Sequence, residues 1–158
     1  MSHSTAQAPQ GELLALISEH SGGDGPLLPM LHAIQATYGH IPQEAIPLIA
    51  DVLNLTKAEV HGVVTFYHDF REKPAGRHVI KLCRAEACQS VGGAALADRV
   101  LGKLGLEWGG TTANGAVTIE AVYCLGLCAC APAAMVDGKV LGRVDDARMA
   151  KILTEAGA

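Results

Sequence analysis

Aromatic residues are scarce in this chain, at 4% of 158 residues, so it offers little flat surface on which nucleic-acid bases could stack. Positive charge is not in excess either. Against 12 Lys and Arg stand 16 Asp and Glu, a formal charge of -4, whereas phosphate backbones are held by clustered cations. Both facts argue against nucleic acid as a partner. The opening MSHSTAQAPQ lacks the basic and apolar regions of a secretory leader and the arginines of a transit peptide. The expectation is a cytoplasmic protein whose thiols are reduced or metal-bound rather than bridged. The charge-free stretch of residues 121–136 is interrupted by Gly126 and Pro132 and falls short of the ~20 apolar residues a membrane span needs. No membrane insertion is expected. A G-x-G-x-x-G loop is also missing, so a nucleotide is not expected on this chain. No serine or cysteine has a convincing base beside it in sequence, which leaves no sign of independent catalysis.

What is present is a globular composition, 49% hydrophobic and 18% charged, enough to bury a core. The stretch REKPAGR, Arg71 to Arg77, separates two textures. Before it the pattern is helical, with apolar positions at Leu13, Leu16 and Ile17, then Leu27, Met30, Leu31 and Ile34, then Ile46, Ile49, Ala50 and Leu53. Pro26 and Pro42 stand where a first helical residue tolerates proline. Thr56 and Glu59 form the signature of a capping box for a further helix through Val60, Val63, Val64 and Tyr67. Beyond the hinge, HVIKLC (78–83) and AVTIEAVYC (116–124) read as strands, and residues 92–104 as a helix. Residues 133–136 and 139–141 flank a turn dipeptide, Asp137-Gly138, and Asp145 starts a terminal helix. The order β-α-β-β-β-α indicates a mixed α/β layer after a helical region.

Five cysteines are present, and four form two short pairs. Cys83 and Cys88 bracket CRAEAC; Cys124 and Cys128 bracket CLGLC. Each pair follows an expected strand. If those strands are neighbours, their exit loops face each other and four thiolates converge, as a zinc ion or an iron–sulfur cluster requires. Small residues, Ala85, Ala87, Gly126 and Ala129, leave backbone N–H groups open toward an anionic centre, and Gly126 can take positive φ to curl round a sulfur. Gly92-Gly93 is expected to open a helix whose N-terminus faces the site. Structural zinc sites prefer C-x2-C knuckles, whereas these wider gaps suit separate irons; zinc remains the competing metal. Val91 stands where a plant-type ferredoxin has its next cysteine, and no histidine closely follows a cysteine as a Rieske centre would need. Cys130 reads as a small hydrophobe beside the site, with ligand exchange for Cys128 or a C-x-C redox couple as the other readings.

CLGLCACAPAAMVDG resembles the CLGxCxxAP signature of the 24-kDa-type [2Fe–2S] subunit family of NADH:quinone oxidoreductase (complex I). The helical half is similar as well: LLPMLHAIQATYGHIPQEAIPLIADVLNL, then TKAEVHGVVTFYHDF with its GVxTFY string. The resemblance covers Leu13 to the terminal helix. It implies an N-terminal helical bundle, residues 11–72, that docks a partner, followed by a thioredoxin-like [2Fe–2S] ferredoxin domain, residues 77–158. Family ligand roles fall on Cys83, Cys88, Cys124 and Cys128, for one [2Fe–2S] cluster.

The implied function is one-electron transfer within an NAD-linked oxidoreductase, by a subunit that is not itself catalytic. FMN and NAD are expected on a flavin/NADH-binding partner subunit. The short chain and its CLGLCACAPAA string look most like the gamma subunit of a soluble NAD-dependent formate dehydrogenase, reached through a molybdenum-containing catalytic subunit. The equivalent subunit of NADH:quinone oxidoreductase or of an NAD-reducing hydrogenase is the alternative. A zinc-stabilised interaction module and a thioredoxin-like thiol oxidoreductase are the readings from other classes. Among the remaining residues, His61 and His68 lie on one helical face and are expected at a partner or solvent surface. Phe66, Tyr67 and Phe70 are expected to pack in the core, with partner docking as the other reading. Arg84 and Glu86, between the first cysteines, are either solvated charges or, for Arg84, an influence on cluster potential.

Overall fold

The computed structural model describes residues 9–158. The leader-free reading of the opening segment concerns mainly residues 1–8, which lie outside the described residues. Contacts divide the chain into two compact units at Pro74 and Ala75, each built on its own core.

The first unit is helical: α1 (Gln10–His20), α2 (Leu27–Tyr38), α3 (Ala45–Leu53) and α4 (Lys57–Phe66). Each buries one apolar stripe. Leu13 and Ile17 from α1, Met30, Leu31 and Ile34 from α2, Ile49 and Ala50 from α3, and Val60 and Val64 from α4 form one cluster with Ile41 and Phe70. Truncating such a side chain to alanine costs about 2–5 kcal/mol. Gly39 at φ 75° and Asn54 at φ 53° end α2 and α3 in the left-handed conformation. The capping box is formed: Glu59 N–H donates to Thr56 Oγ1 at 3.2 Å, and Thr56 N–H donates to Glu59 Oε2 at 2.8 Å. Two boundaries differ from the sequence pattern. Pro42 begins a turn rather than the helix, with Ala45 N–H donating to Pro42 C=O, and α4 stops at Phe66 because Tyr67 is extended.

The second unit contains β1 (His78–Cys83), α5 (Glu86–Ser90), α6 (Gly93–Leu104), β2 (Val117–Val122), a 3-10 turn over Cys128–Cys130, β3 (Ala134–Val136), β4 (Lys139–Leu141) and α7 (Asp146–Glu155). Strand order is β2-β1-β3-β4. Strands β1 and β2 are parallel, and the other pairs are antiparallel. Alternation sends Ile80 and Leu82 of β1, with Val117 and Ile119 of β2, into a core completed by Leu96 and Val100 of α6 and Met149 and Leu153 of α7. Asp137 and Gly138 turn the β3–β4 hairpin with φ of 49° and 82°, the positive pair that a two-residue hairpin favours. Asp145 caps α7 by accepting from Arg148 N–H at 2.8 Å. The expected order therefore gains one element, α5, and the 3-10 turn. Both are a few residues long, too short for hydrophobic periodicity to register. Among the described residues no helix is long and apolar enough to cross a membrane.

Candidate metal centre

The parallel pairing of β1 and β2 sets Cys83 opposite Val122, so the two strands end level. One chain end leads into Cys88 and the other into Cys124 and Cys128. The register is held just beyond the strands, where Arg84 N–H donates to Val122 C=O at 2.8 Å. Cys83 N–H donates to Ala133 C=O at 3.0 Å, which ties the segment before β3 to the same place. Cys88 lies on α5 rather than in an open loop, so a rigid turn of helix fixes its side chain.

The four thiols sit as two pairs in different surroundings. Cys83 and Cys88 are buried, with Ala133, inside a ring of Ala85, Val122, Leu125, Leu127 and Ala131. Cys124 and Cys128 are exposed, their sulfurs 3.8 Å apart. Two metal–sulfur bonds of about 2.3 Å at a tetrahedral angle would place sulfurs about that far apart. Among the described residues no three His, Cys, Asp or Glu side chains close round a single metal ion. The thiols are grouped in twos, Cys124 with Cys128 and Cys83 with Cys88.

Backbone donors converge on these sulfurs. Burial alone would raise the Cys83 thiol, but N–H groups of Ala85, Cys124 and Leu125, with the Cys88 thiol, hold it below its ordinary value. Cys88 is pushed up, first by burial and then by donating to Cys83, with the charges of Cys83 and Cys128 adding to this and Ala133 N–H opposing it. Cys128 is pushed up by its contact with Cys124, then by the Cys124 charge, burial and the Cys83 charge. Leu125 and Leu127, which alternate with the outer pair in sequence, pack against the cluster of Cys83 and Cys88, so the loop of the outer pair adjoins the inner one. The soft thiolates, N–H donors and apolar lining are what an anionic iron–sulfur centre needs, so the residues fit that group.

One residue of the site has a strained backbone. Cys124 adopts φ 94°, a region that costs a residue with Cβ about 1–3 kcal/mol. This is why β2 ends at Val122 instead of running to Cys124 as its composition suggests. Gly126 takes φ 76° as expected, and its N–H donates to Cys124 Sγ at 3.3 Å. Gly93 has a different reason for lacking a side chain: a Cβ there would lie 2.5 Å from the Cys88 carbonyl oxygen. The resolved donors to Cys83 come from Ala85, Cys124 and Leu125, not from the Gly92-Gly93 helix start.

Cys130 is half-buried with its Cβ against Gly142, where an added methyl would stand 2.7 Å away. Phe70 packs in the first unit's core against His32, at 4.9 Å between ring centroids. Phe66, by contrast, is 73% exposed; it occupies the last helical position, where the stripe has turned outward. His61 faces Glu72 at 3.3 Å, both exposed. Arg84 is exposed and lays its guanidinium over the Trp108 ring, 4.9 Å from the centroid. Sequence reasoning missed the lining residues Leu125, Leu127 and Val122, and also Tyr123, which is 67% exposed beside Cys124. The alternation of leucine with ligand in CLGLC was the available signal for the first two.

A model described as thioredoxin-like [2Fe–2S] ferredoxin matches residues 13–157. An NADH-quinone oxidoreductase subunit of Pseudomonas aeruginosa is 38% identical over 123 residues, 78% of this chain and 74% of the relative. The NADP-reducing hydrogenase subunit HndA of Solidesulfovibrio fructosivorans is 33% identical over 144 residues, 91% of this chain and 84% of the relative. A solved structure of an NAD+-reducing [NiFe]-hydrogenase in the H2-reduced state aligns with a TM-score of 0.67 at 24% identity, over 80% of this chain and 22% of that one. That likeness concerns the fold, and the chain spans about a fifth of the hydrogenase chain's length. From the match over both units and these relatives, the chain belongs to the thioredoxin-like [2Fe–2S] ferredoxin family.

Proposed function

We propose that Cys83, Cys88, Cys124 and Cys128 hold one [2Fe–2S] cluster, and that the chain is an electron-transfer subunit of an NAD(P)-linked oxidoreductase complex. The observation that supports this most strongly is that both cysteine pairs leave the level ends of parallel β1 and β2, with Leu125 and Leu127 of the outer pair's loop packed against Cys83 and Cys88. When bound, such a cluster supplies one-electron redox chemistry at a potential set by its surroundings. The chain's own residues supply those surroundings. N–H groups of Ala85, Cys124, Leu125 and Gly126 face sulfurs and stabilise negative charge. Val122, Leu125 and Leu127 exclude water from the inner pair. The exposed outer pair, beside Tyr123, is the side from which an electron partner can approach. In this reading FMN and NAD reside on a flavin/NADH-binding subunit, and the helical unit, with exposed Phe66 and Tyr67, docks a partner.

The finer assignment is to the gamma-type subunit of an NAD-dependent formate dehydrogenase with a molybdenum-containing catalytic subunit. It rests on the CLGLCACAPAA string. Similarity to the NADH-quinone oxidoreductase subunit and to the hydrogenase subunit HndA favours a second reading, in which the parent is one of those complexes. Purification of the native complex under anaerobic conditions separates them. A flavin subunit with a molybdenum subunit supports formate oxidation; nickel–iron or quinone-linked partners replace it with the second reading. For the ligands, Cys124→Ser is expected to lose most of the iron and Cys130→Ser to retain it. The reverse result would overturn the ligand assignment.

A further inference from the structure

We propose that Cys124 and Cys128 are a redox modification site. In the metal-free chain, a low-molecular-weight disulfide such as oxidised glutathione converts them to an intramolecular disulfide. The bond stands on the thiol geometry alone. Its consequence, that an oxidised chain takes up no cluster until it is reduced, rests on the ligand reading above.

The two sulfurs are already neighbours, 3.8 Å apart. A disulfide holds them at about 2.05 Å, so each has roughly 1 Å to move. The segment between them, Leu125 to Leu127, curls on itself. Gly126 takes φ 76° at its centre, and Gly126 N–H donates to Cys124 Sγ at 3.3 Å, which turns that sulfur into the curve. Both cysteines are exposed, so rotation of either side chain meets solvent rather than packed atoms. Exposure also meets the other requirement of exchange, because an attacking thiolate must reach the oxidant's sulfur–sulfur bond.

The remaining thiols are differently placed. Cys83 and Cys88 are 5% and 2% exposed, packed with Val122, Leu125, Leu127 and Ala131. A bulky peptide disulfide does not reach them in the folded chain. Cys130 is half-buried, its Cβ 2.7 Å from where a methyl on Gly142 would stand. It lies two positions after Cys128 in the 3-10 turn. Each residue there advances a third of a turn, so the two side chains point apart. A Cys128–Cys130 bond is thereby disfavoured, which leaves Cys124 as the partner of Cys128.

The chemistry balances in two steps. One outer thiolate attacks a sulfur of the oxidant, forming a mixed disulfide and releasing one glutathione thiolate. The second outer thiolate then attacks the protein sulfur of that bond, closing the Cys124–Cys128 disulfide and releasing the other glutathione. The two protein thiols lose two electrons and two protons, and the oxidant gains them as two thiols. A dithiol reverses the exchange. With both sulfurs in one bond neither is a thiolate, the form that ligates metal, and two of the proposed ligands are withheld.

The test uses the full-length chain, metal-free and reduced, incubated without air with oxidised glutathione. Remaining thiols are then alkylated and located by peptide fragmentation in a mass spectrometer. The expected product has lost the Cys124 and Cys128 thiols, keeps Cys83, Cys88 and Cys130 alkylated, and carries no glutathione. Cys128→Ser is expected to stop with glutathione held on Cys124, and Cys130→Ser to close the bond like the parent. Unreacted outer thiols, a bond to Cys83, Cys88 or Cys130, or glutathione retained on the parent chain would overturn the proposal. Oxidised and reduced chains are next offered a preassembled [2Fe–2S] donor without free thiol or sulfide. The oxidised chain is expected to lose most of its iron uptake, and a dithiol to restore it. Equal uptake would overturn the gating of assembly. A reduced chain that takes up no iron would instead overturn the cluster reading, while the mapped disulfide would still uphold the bond.

Discussion

Replacement of Gly93 by alanine is the sharpest mechanical test of the site. Gly93 is the first residue of α6 and lies directly on α5. A methyl there would stand 2.5 Å from the Cys88 carbonyl oxygen and 2.9 Å from its carbonyl carbon. Ordinary contact begins near 3.4 Å, so the two helices must part by most of an ångström. The obstructing atoms are backbone and cannot rotate away. Overpacking of this kind costs about 1–3 kcal/mol, and in a unit of this size each kcal/mol lowers Tm by roughly 4–8 °C. Because the strain falls on the residue carrying a proposed ligand, Gly93→Ala is also expected to load less iron. The comparison is Gly92→Ala, one residue earlier. Nothing lies within 4 Å of its added Cβ, but its φ is 92°. That variant is expected to lose stability through backbone strain while keeping most of its iron. Thermal denaturation of metal-free protein and iron assay of reconstituted protein read the two effects separately. A Gly93→Ala chain that melts and loads like the parent would refute the packing argument.

Thr56→Ala removes one half of the α4 capping box and is expected to cost about 1 kcal/mol in urea denaturation of the metal-free chain, without altering the centre's spectrum after loading. The Asp137 carboxylate is raised by burial but lowered more by hydrogen bonds from His78, at 2.7 Å, and Val79 N–H, so the folded carboxyl titrates below its ordinary value. Its contribution is present above the unfolded value near pH 3.9 and is lost as pH falls through the lower folded value. With both partners about half exposed, Asp137→Asn is expected to lower stability by at most about 1 kcal/mol at pH 7 and to match the parent near pH 2. In metal-free folded protein, iodoacetamide is expected to modify Cys124 and Cys128 well before Cys83 and Cys88, because exposure outweighs the lowered Cys83 value. Equal labelling by peptide mass spectrometry would contradict the buried and exposed division.

Much of the fold is legible in the sequence because its signals are periodic or local. HVIKLC is a strand from end to end, Asp137-Gly138 makes the hairpin, and Thr56 with Glu59 makes the capping box. The placement of the two cysteine pairs at the ends of neighbouring strands is legible from the β-rich runs that precede them. What stays hidden depends on contacts that only the folded chain creates. Helix α5 is a single short turn whose apolar content gives no period. The role of Gly93 lies in its approach to the Cys88 carbonyl, and the partner of Arg84 lies far along the chain at Trp108. Phe66 departs from the expected core position because GVxTFY looks apolar throughout, whereas the helix ends there and the ring points outward. The Cys124 backbone conformation, which bends β2 away from its composition, leaves no mark in residue type.

Iron and acid-labile sulfide per chain, measured on protein isolated and kept without air, test the account most directly. Two irons and two sulfides per chain, with one paramagnetic signal appearing on one-electron reduction, are the predicted result. One zinc per chain, or a colourless protein with no sulfide and no signal, would contradict it.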